Sequence, residues 1–221
     1  MTEVKLSENL KEHFPNIKIG ILEVRNLINK KFDPRLEEEK RKLETFIRKN
    51  YIDVKNLEVI KNYNHFFKKF EKTYPIEFQL KSILKGKNLP SVSTVIEAMF
   101  MAELKNMFLT AGHDLDSLKG NLETKLSTGT EKYVKINLKE HSLKAEDIFT
   151  TDDIGIISSI LYGPDNRTRI TENTKNYLFF SYFPYGEDNE NIKQHFKDIL
   201  NNMSIFSDKE PESSKIKIFQ L

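Results

Sequence analysis

Two short stretches of the 221-residue chain bring together residue types that can do chemistry. The first is His113-Asp114-Leu115-Asp116, where an imidazole stands beside two carboxylates. Such a grouping suits acid–base chemistry or the orienting of a substrate amine. The same tetrapeptide also fits a turn at the end of a helix, with an Asp capping the next element. The second is Gly163-Pro164-Asp165-Asn166-Arg167-Thr168-Arg169, a polar loop. Its guanidinium, amide and hydroxyl donors could grip a carboxylate or a phosphate. The plain alternative is a hairpin loop made of ordinary turn residues, although such loops also carry function.

Other chemical signatures are missing. The eight glycines include no GxGxxG and no GxxxxGK[ST], so neither a dinucleotide site nor a phosphate loop is signalled. There is no GxSxG and no HExxH. The chain has no cysteine, which excludes disulfides, thiolate zinc sites and a Cys nucleophile together. His13, His65, His113, His141 and His195 lack ligand spacing, so no metal and no cofactor are expected.

Lys and Arg number 35 against 33 Asp and Glu, and hydrophobic residues make up 38%. With 16 Phe and 8 Tyr, that composition builds a core and excludes a disordered chain. Residues 1–75 carry 17 basic and 12 acidic groups. The pairs Lys30-Lys31, Arg41-Lys42, Arg48-Lys49 and Lys68-Lys69 could meet phosphates, or could form a solvated helix face among Glu37, Glu38, Glu39 and Glu44. The longest apolar stretch, near Ile154 to Tyr162, is too short to span a membrane. The charged N-terminus does not read as a secretion signal, and a cytoplasmic protein is the simplest expectation.

The elements that must position these groups are legible in outline. Residues 16–24 alternate as a strand. Asp33-Pro34 opens a helix with an N-cap, a first-turn proline and early glutamates. Residues 55–71 and 76–84 read as further helices, the second stopped by Gly86. Residues 91–109 form a helix apolar on most sides, and residues 111–116 a turn after it. Strands are expected at 121–126, 132–138, 147–151, 154–161 and 176–183, followed by a helix over 189–202. The order, helices and then strands, predicts an α+β fold. Residues 1–75 are expected as a strand and helical extension packed on the core, 76–205 as the core, and 206–221 as a C-terminal tail.

Residues 77–183 resemble the B3/B4 domain of the beta subunit of bacterial phenylalanyl-tRNA synthetase, a module that also occurs as freestanding proteins. The resemblance runs through Leu84-Lys85-Gly86-Lys87-Asn88-Leu89-Pro90-Ser91 and the long helix. It continues in Gly112-His113-Asp114-Leu115-Asp116-Ser117-Leu118-Lys119-Gly120 and ends in Arg167-Thr168-Arg169-Ile170-Thr171-Glu172-Asn173-Thr174-Lys175-Asn176-Tyr177-Leu178-Phe179-Phe180. It implies an α+β fold with a β-sandwich-like core flanked by helices, and tRNA or aminoacyl-tRNA as partner.

In the synthetase this domain hydrolyses tyrosine mischarged onto the phenylalanine tRNA. The four polar positions of that site fall at Met99, Phe100, Ala111 and Phe180, all apolar here. Such a lining offers a phenolic hydroxyl no hydrogen bond, so tyrosine loses its discriminating contact. His113, close to the position of the family's histidine, is the candidate catalytic group. Gly163, Asn166, Arg167, Thr168, Asp114 and Glu97 are candidate substrate contacts, and Lys85 and Lys87 candidate RNA contacts. Two readings stay open: ester hydrolysis of aminoacyl-tRNA, and a non-catalytic module that binds RNA or a small ligand.

Overall fold

The computed structural model describes residues 2–207 and 213–220. The chain folds as two compact units, one of residues 2–27, 111–188 and 213–220, the other of residues 28–110 and 189–207.

The first unit is the β unit. Its strands are β1 (Val4–Leu6), β2 (Lys18–Arg25), β3 (Thr110–Asp114), β4 (Leu122–Leu126), β5 (Lys132–Val134), β6 (Glu140–Ser142), β7 (Ile148–Thr151), β8 (Ile156–Ser159), β9 (Gly163–Pro164), β10 (Tyr177–Phe183) and β11 (Ser213–Phe219), with α1 (Glu8–His13) after β1. One sheet runs β1-β4-β7-β8-β9 and a second β11-β2-β10-β3, while β5 and β6 form a ribbon. The two larger sheets meet through buried hydroxyls. Tyr182 on β10 bonds Ser158 on β8 and Thr150 on β7, each at 2.8 Å. Thr150 in turn bonds Thr124 on β4 at 2.9 Å. These groups satisfy one another, which makes a polar layer tolerable inside a sandwich. β10 is buried at all seven positions, so it reads as a continuous apolar run rather than an alternation.

The second unit is helical: α2 (Pro34–Asn50), α3 (Glu58–Lys68), α4 (Pro75–Leu84), α5 (Thr94–Asn106) and α6 (Asn189–Phe206). Asp33 caps α2, accepting from the Arg35 backbone N–H at 3.0 Å, with Pro34 in the first turn. α5 packs against α2, α4 and α6, which explains its apolar composition. The chain is therefore α+β with a sandwich-like β core.

Four expectations are corrected. Helix 91–109 is shorter, because Met107 takes a left-handed conformation (φ 63°) that ends α5. Residues 111–116 are not a helix-end turn but strand β3 running into a 3-10 turn, Leu115–Ser117. Their backbone partners lie far along the chain: the Asp114 N–H donates to Thr168 O at 2.7 Å and the Leu115 N–H to Asn176 O at 2.9 Å. Residues 206–221 are not a tail throughout. Lys215-Ile216-Lys217-Ile218 alternates with period two, and β11 pairs antiparallel with β2 from Ser213↔Arg25 to Phe219↔Ile19. Residues 208–212 and 221 of that segment lie outside the described residues. The division expected at residue 75 also differs from the one found, since β2 lies between β11 and β10 in the β unit while α2 and α3 belong to the helical unit.

Glu103 on α5 gives a pH prediction. It is buried and accepts from the Thr110 backbone N–H at 2.6 Å. Burial pushes its carboxyl up to about 8 from an ordinary 4.5, against the opposing pull of that bond. In the folded chain it keeps its proton where the unfolded chain has lost it. The associated stability is fully present below pH 4.5 and is lost as pH rises toward about 8. Glu103→Gln should flatten the stability–pH curve in that interval by up to about 1.4 kcal/mol per pH unit, read from denaturant midpoints across pH. Parallel curves for the two proteins would contradict this.

Candidate functional site

The polar loop and the His113 segment come together in the β unit, around Arg167. Gly163 (φ +79°) and Pro164 form β9 against Ser158 and Ser159, and the Gly163 carbonyl accepts from the Tyr133 hydroxyl at 2.8 Å. The Asn166 N–H donates to Val134 O at 2.9 Å. Arg167 then turns inward. Its Nη2 lies 2.8 Å from Asp152 Oδ1, its Nη1 donates to Ser117 O at 2.9 Å, and its Nε stands 3.8 Å from Asp165 Oδ2.

Both carboxylates are held by backbone as well. Asp152 accepts from the N–H groups of Lys119, Ile154 and Gly155 at 2.9–3.1 Å. Burial pulls its carboxyl up, but these bonds and then Arg167 outweigh it and leave it below the ordinary range. Asp165 accepts from the N–H groups of Arg167 and Thr168, each at 3.1 Å, and from the Thr168 hydroxyl. For Asp165 burial wins, and its carboxyl is raised.

His113 is enclosed, with 0% exposure, and its Nδ1 lies 2.7 Å from Thr168 Oγ1. The Thr168 hydroxyl donates its single proton to Asp165, which leaves it to accept from His113 Nδ1–H. His113 Nε2 has no hydrogen-bond partner among the described residues. Burial, aided by the charge of Arg167 and opposed by Asp152, pushes this imidazole down to about 3. Asp114 caps the 3-10 turn through the N–H groups of Asp116 and Ser117, and accepts from the Thr174 hydroxyl at 2.6 Å. The segment continues to Gly120, whose left-handed backbone (φ +69°) glycine adopts without strain.

The arrangement thus joins His113, Asp114, Arg167 and Thr168 in one network, while Gly163 and Asn166 flank it in the same loop and bond instead to Tyr133, Val134 and Arg169. Asp152 and Asp165, which sequence reasoning left unassigned, are the carboxylates that face Arg167. The signal for Asp152 was present as an Asp three residues before Gly155, at the end of a strand. Glu97 belongs instead to the helical unit, 2.7 Å from Lys40 Nζ and 2.8 Å from the Val92 N–H. Lys85 and Lys87 are exposed at and after the end of α4. Of the four apolar positions, Met99 and Phe100 lie on α5, Ala111 on β3 and Phe180 on β10. Among the described residues no group of three or more acidic or His side chains could hold a metal, and no helix is long and apolar enough to cross a membrane.

The B3/4 domain family matches residues 61–206, most of the chain. Relatives include the phenylalanine–tRNA ligase beta subunit of Mycoplasma pneumoniae, 29% identical over 114 residues, which is 52% of this chain and 14% of that protein. The corresponding subunit of Mycoplasma genitalium is 33% identical over 90 residues, 41% of this chain and 11% of that protein. The matches therefore span only a small part of the relatives' length. A solved N-terminal fragment of the Pyrococcus horikoshii phenylalanyl-tRNA synthetase beta subunit aligns over 97% of this chain and 50% of its own, at 14% identity and TM-score 0.47. On the extent of the family match, the chain belongs to the B3/4 domain family.

Proposed function

We propose that this chain binds tRNA, including its aminoacylated form, and that it does so without hydrolysing the ester. The observations that carry the tRNA reading are the family match over residues 61–206 and the similarity to segments of two phenylalanine–tRNA ligase beta subunits. A cytoplasmic location goes with this reading.

The chemistry of the Arg167 network favours binding over hydrolysis. The Arg167 guanidinium is already engaged by Asp152, Asp165 and the Ser117 carbonyl, so it is not held ready for a phosphate. A general base works best with a pKa near the working pH, and an imidazole pushed down to about 3 is a weak one. His113 acts as a positioning residue: it fixes Thr168, and Thr168 fixes Asp165. Phosphate contact falls to exposed cations, Lys85 and Lys87 among them.

The test is tRNA affinity across a salt series. Log K should fall linearly with log salt as phosphate-bound counterions are released. Lys85→Glu with Lys87→Glu should lower affinity by at least about tenfold near 0.1 M salt. Absence of binding, or an affinity indifferent to salt, would refute the reading.

A further inference from the structure

The helical unit carries a lysine-lined cavity made of none of the residues of the Arg167 network. A cavity of about 490 Å³ opens beside α3 and α4. Its lining includes Lys55, Lys61, Lys68, Lys72 and Lys81 against a single carboxylate, Glu77. Lys61, His65 and Lys68 recur at helical spacing on one face of α3, Lys72 comes from the turn after it, and Lys81 from α4.

The local charges do not cancel. Glu77 is buried and pairs with Lys81, and it also accepts from the Asn64 amide. Burial pulls its carboxyl up, but Lys81, Asn64 and the charge of Lys55 outweigh that and keep it ionised below the ordinary range. Lys55, Lys61 and Lys68 are exposed and join no ion pair among the described residues. A concave site lined by one sign of charge concentrates counter-ions of the other sign. Three exposed cations, Lys55, Lys61 and Lys68, suit an anion that carries several charges close together, which a single carboxylate does not.

We propose that this cleft binds vicinal phosphate groups. The shared chemistry has two sources, the backbone of an RNA strand and a free oligophosphate such as the tail of a nucleotide. Only the RNA arm rests on the function proposed above.

The experiment uses the full chain and two probes, tripolyphosphate by calorimetry and a fluorescent oligouridine RNA by anisotropy. Lys61→Glu with Lys68→Glu is compared with a charge-matched control, Lys5→Glu with Lys132→Glu, and thermal melts check that each variant is folded. Loss of two phosphate contacts should lower RNA affinity by about twentyfold near 0.1 M salt. The control should lose far less, and tripolyphosphate binding should disappear only in the cleft variant. Loss of tripolyphosphate binding alone assigns the cleft to free oligophosphates, and a parallel loss with RNA assigns it to the backbone. RNA binding that survives the cleft variant unchanged, with tripolyphosphate binding also unchanged or absent in the wild type, overturns the cleft and leaves the tRNA reading standing. Tripolyphosphate binding lost in the variant, in a protein that binds no RNA, does the reverse.

Discussion

Lys40→Met should destabilise the helical unit by about 3–5 kcal/mol, among the largest effects of any single substitution in the chain. Lys40 on α2 is 0% exposed, and its ammonium lies 2.7 Å from both Glu97 Oε2 and Glu37 Oε2. Glu97 itself is buried, and its remaining hydrogen bond comes from the Val92 N–H. Taking the ammonium away leaves a carboxylate out of water with half its compensation, and that penalty exceeds the lost packing. Lys40→Met combined with Glu97→Leu removes both charges and should recover much of the loss. Denaturant titration of the two single variants and the double measures the coupling, expected at about 1–3 kcal/mol. A single-variant loss below about 1 kcal/mol would mean that the pair is solvated and the burial argument wrong.

Arg167→Ala should cost about 2–3 kcal/mol in the β unit. The side chain ties the 3-10 turn through Ser117 O, the turn after β7 through Asp152, and its own loop through Asp165. The expected cost is smaller than for Lys40 for two reasons. The Arg167 side chain is 32% exposed, and Asp152 keeps three backbone N–H donors after the guanidinium has gone. Arg167→Lys keeps the charge but cannot span Asp152 and Ser117 at once, so it should fall between wild type and Ala. A melting temperature for Arg167→Ala equal to wild type, with tRNA affinity abolished, would contradict this structural role and make Arg167 a direct ligand contact.

The parts of the fold visible in the sequence are those specified locally. Asp33-Pro34 announces α2 because cap and first-turn proline act within a few residues of each other. The alternation around Ile19 and Ile21 announces β2, and the apolar run Tyr177–Phe183 announces β10. β3 and β11 are hidden because what specifies them is non-local. The β3 segment follows a helix and is polar enough to pass for a turn, and its hydrogen bonds go to residues more than fifty positions away. β11 follows a polar stretch, and what makes it a strand is the edge of β2, nearly two hundred residues earlier.

The candidate network is half visible in the same sense. Arg167, Thr168 and His113 stand out by residue type, but their mutual satisfaction does not, because periodicity cannot tell which of several carboxylates a guanidinium will meet. Asp152 completes the network from a turn of ordinary composition. The lysine cleft is equally legible and equally easy to pass over: Lys61, His65 and Lys68 recur along one face of α3, but the Lys68-Lys69 pair alone reads as a solvated surface.

The proposed function is tRNA recognition through exposed cations, with an Arg167 network that holds its loops and performs no ester chemistry. The most direct measurement incubates the protein at saturating concentration with a panel of aminoacylated tRNAs. It follows retention of each tRNA by the protein and survival of its ester bond in the same samples. The expected result is retention across the panel with ester half-lives equal to those of tRNA alone. Accelerated loss of any one aminoacyl group, abolished in His113→Ala while that variant remains folded, would show that the network is catalytic and contradict the binding role.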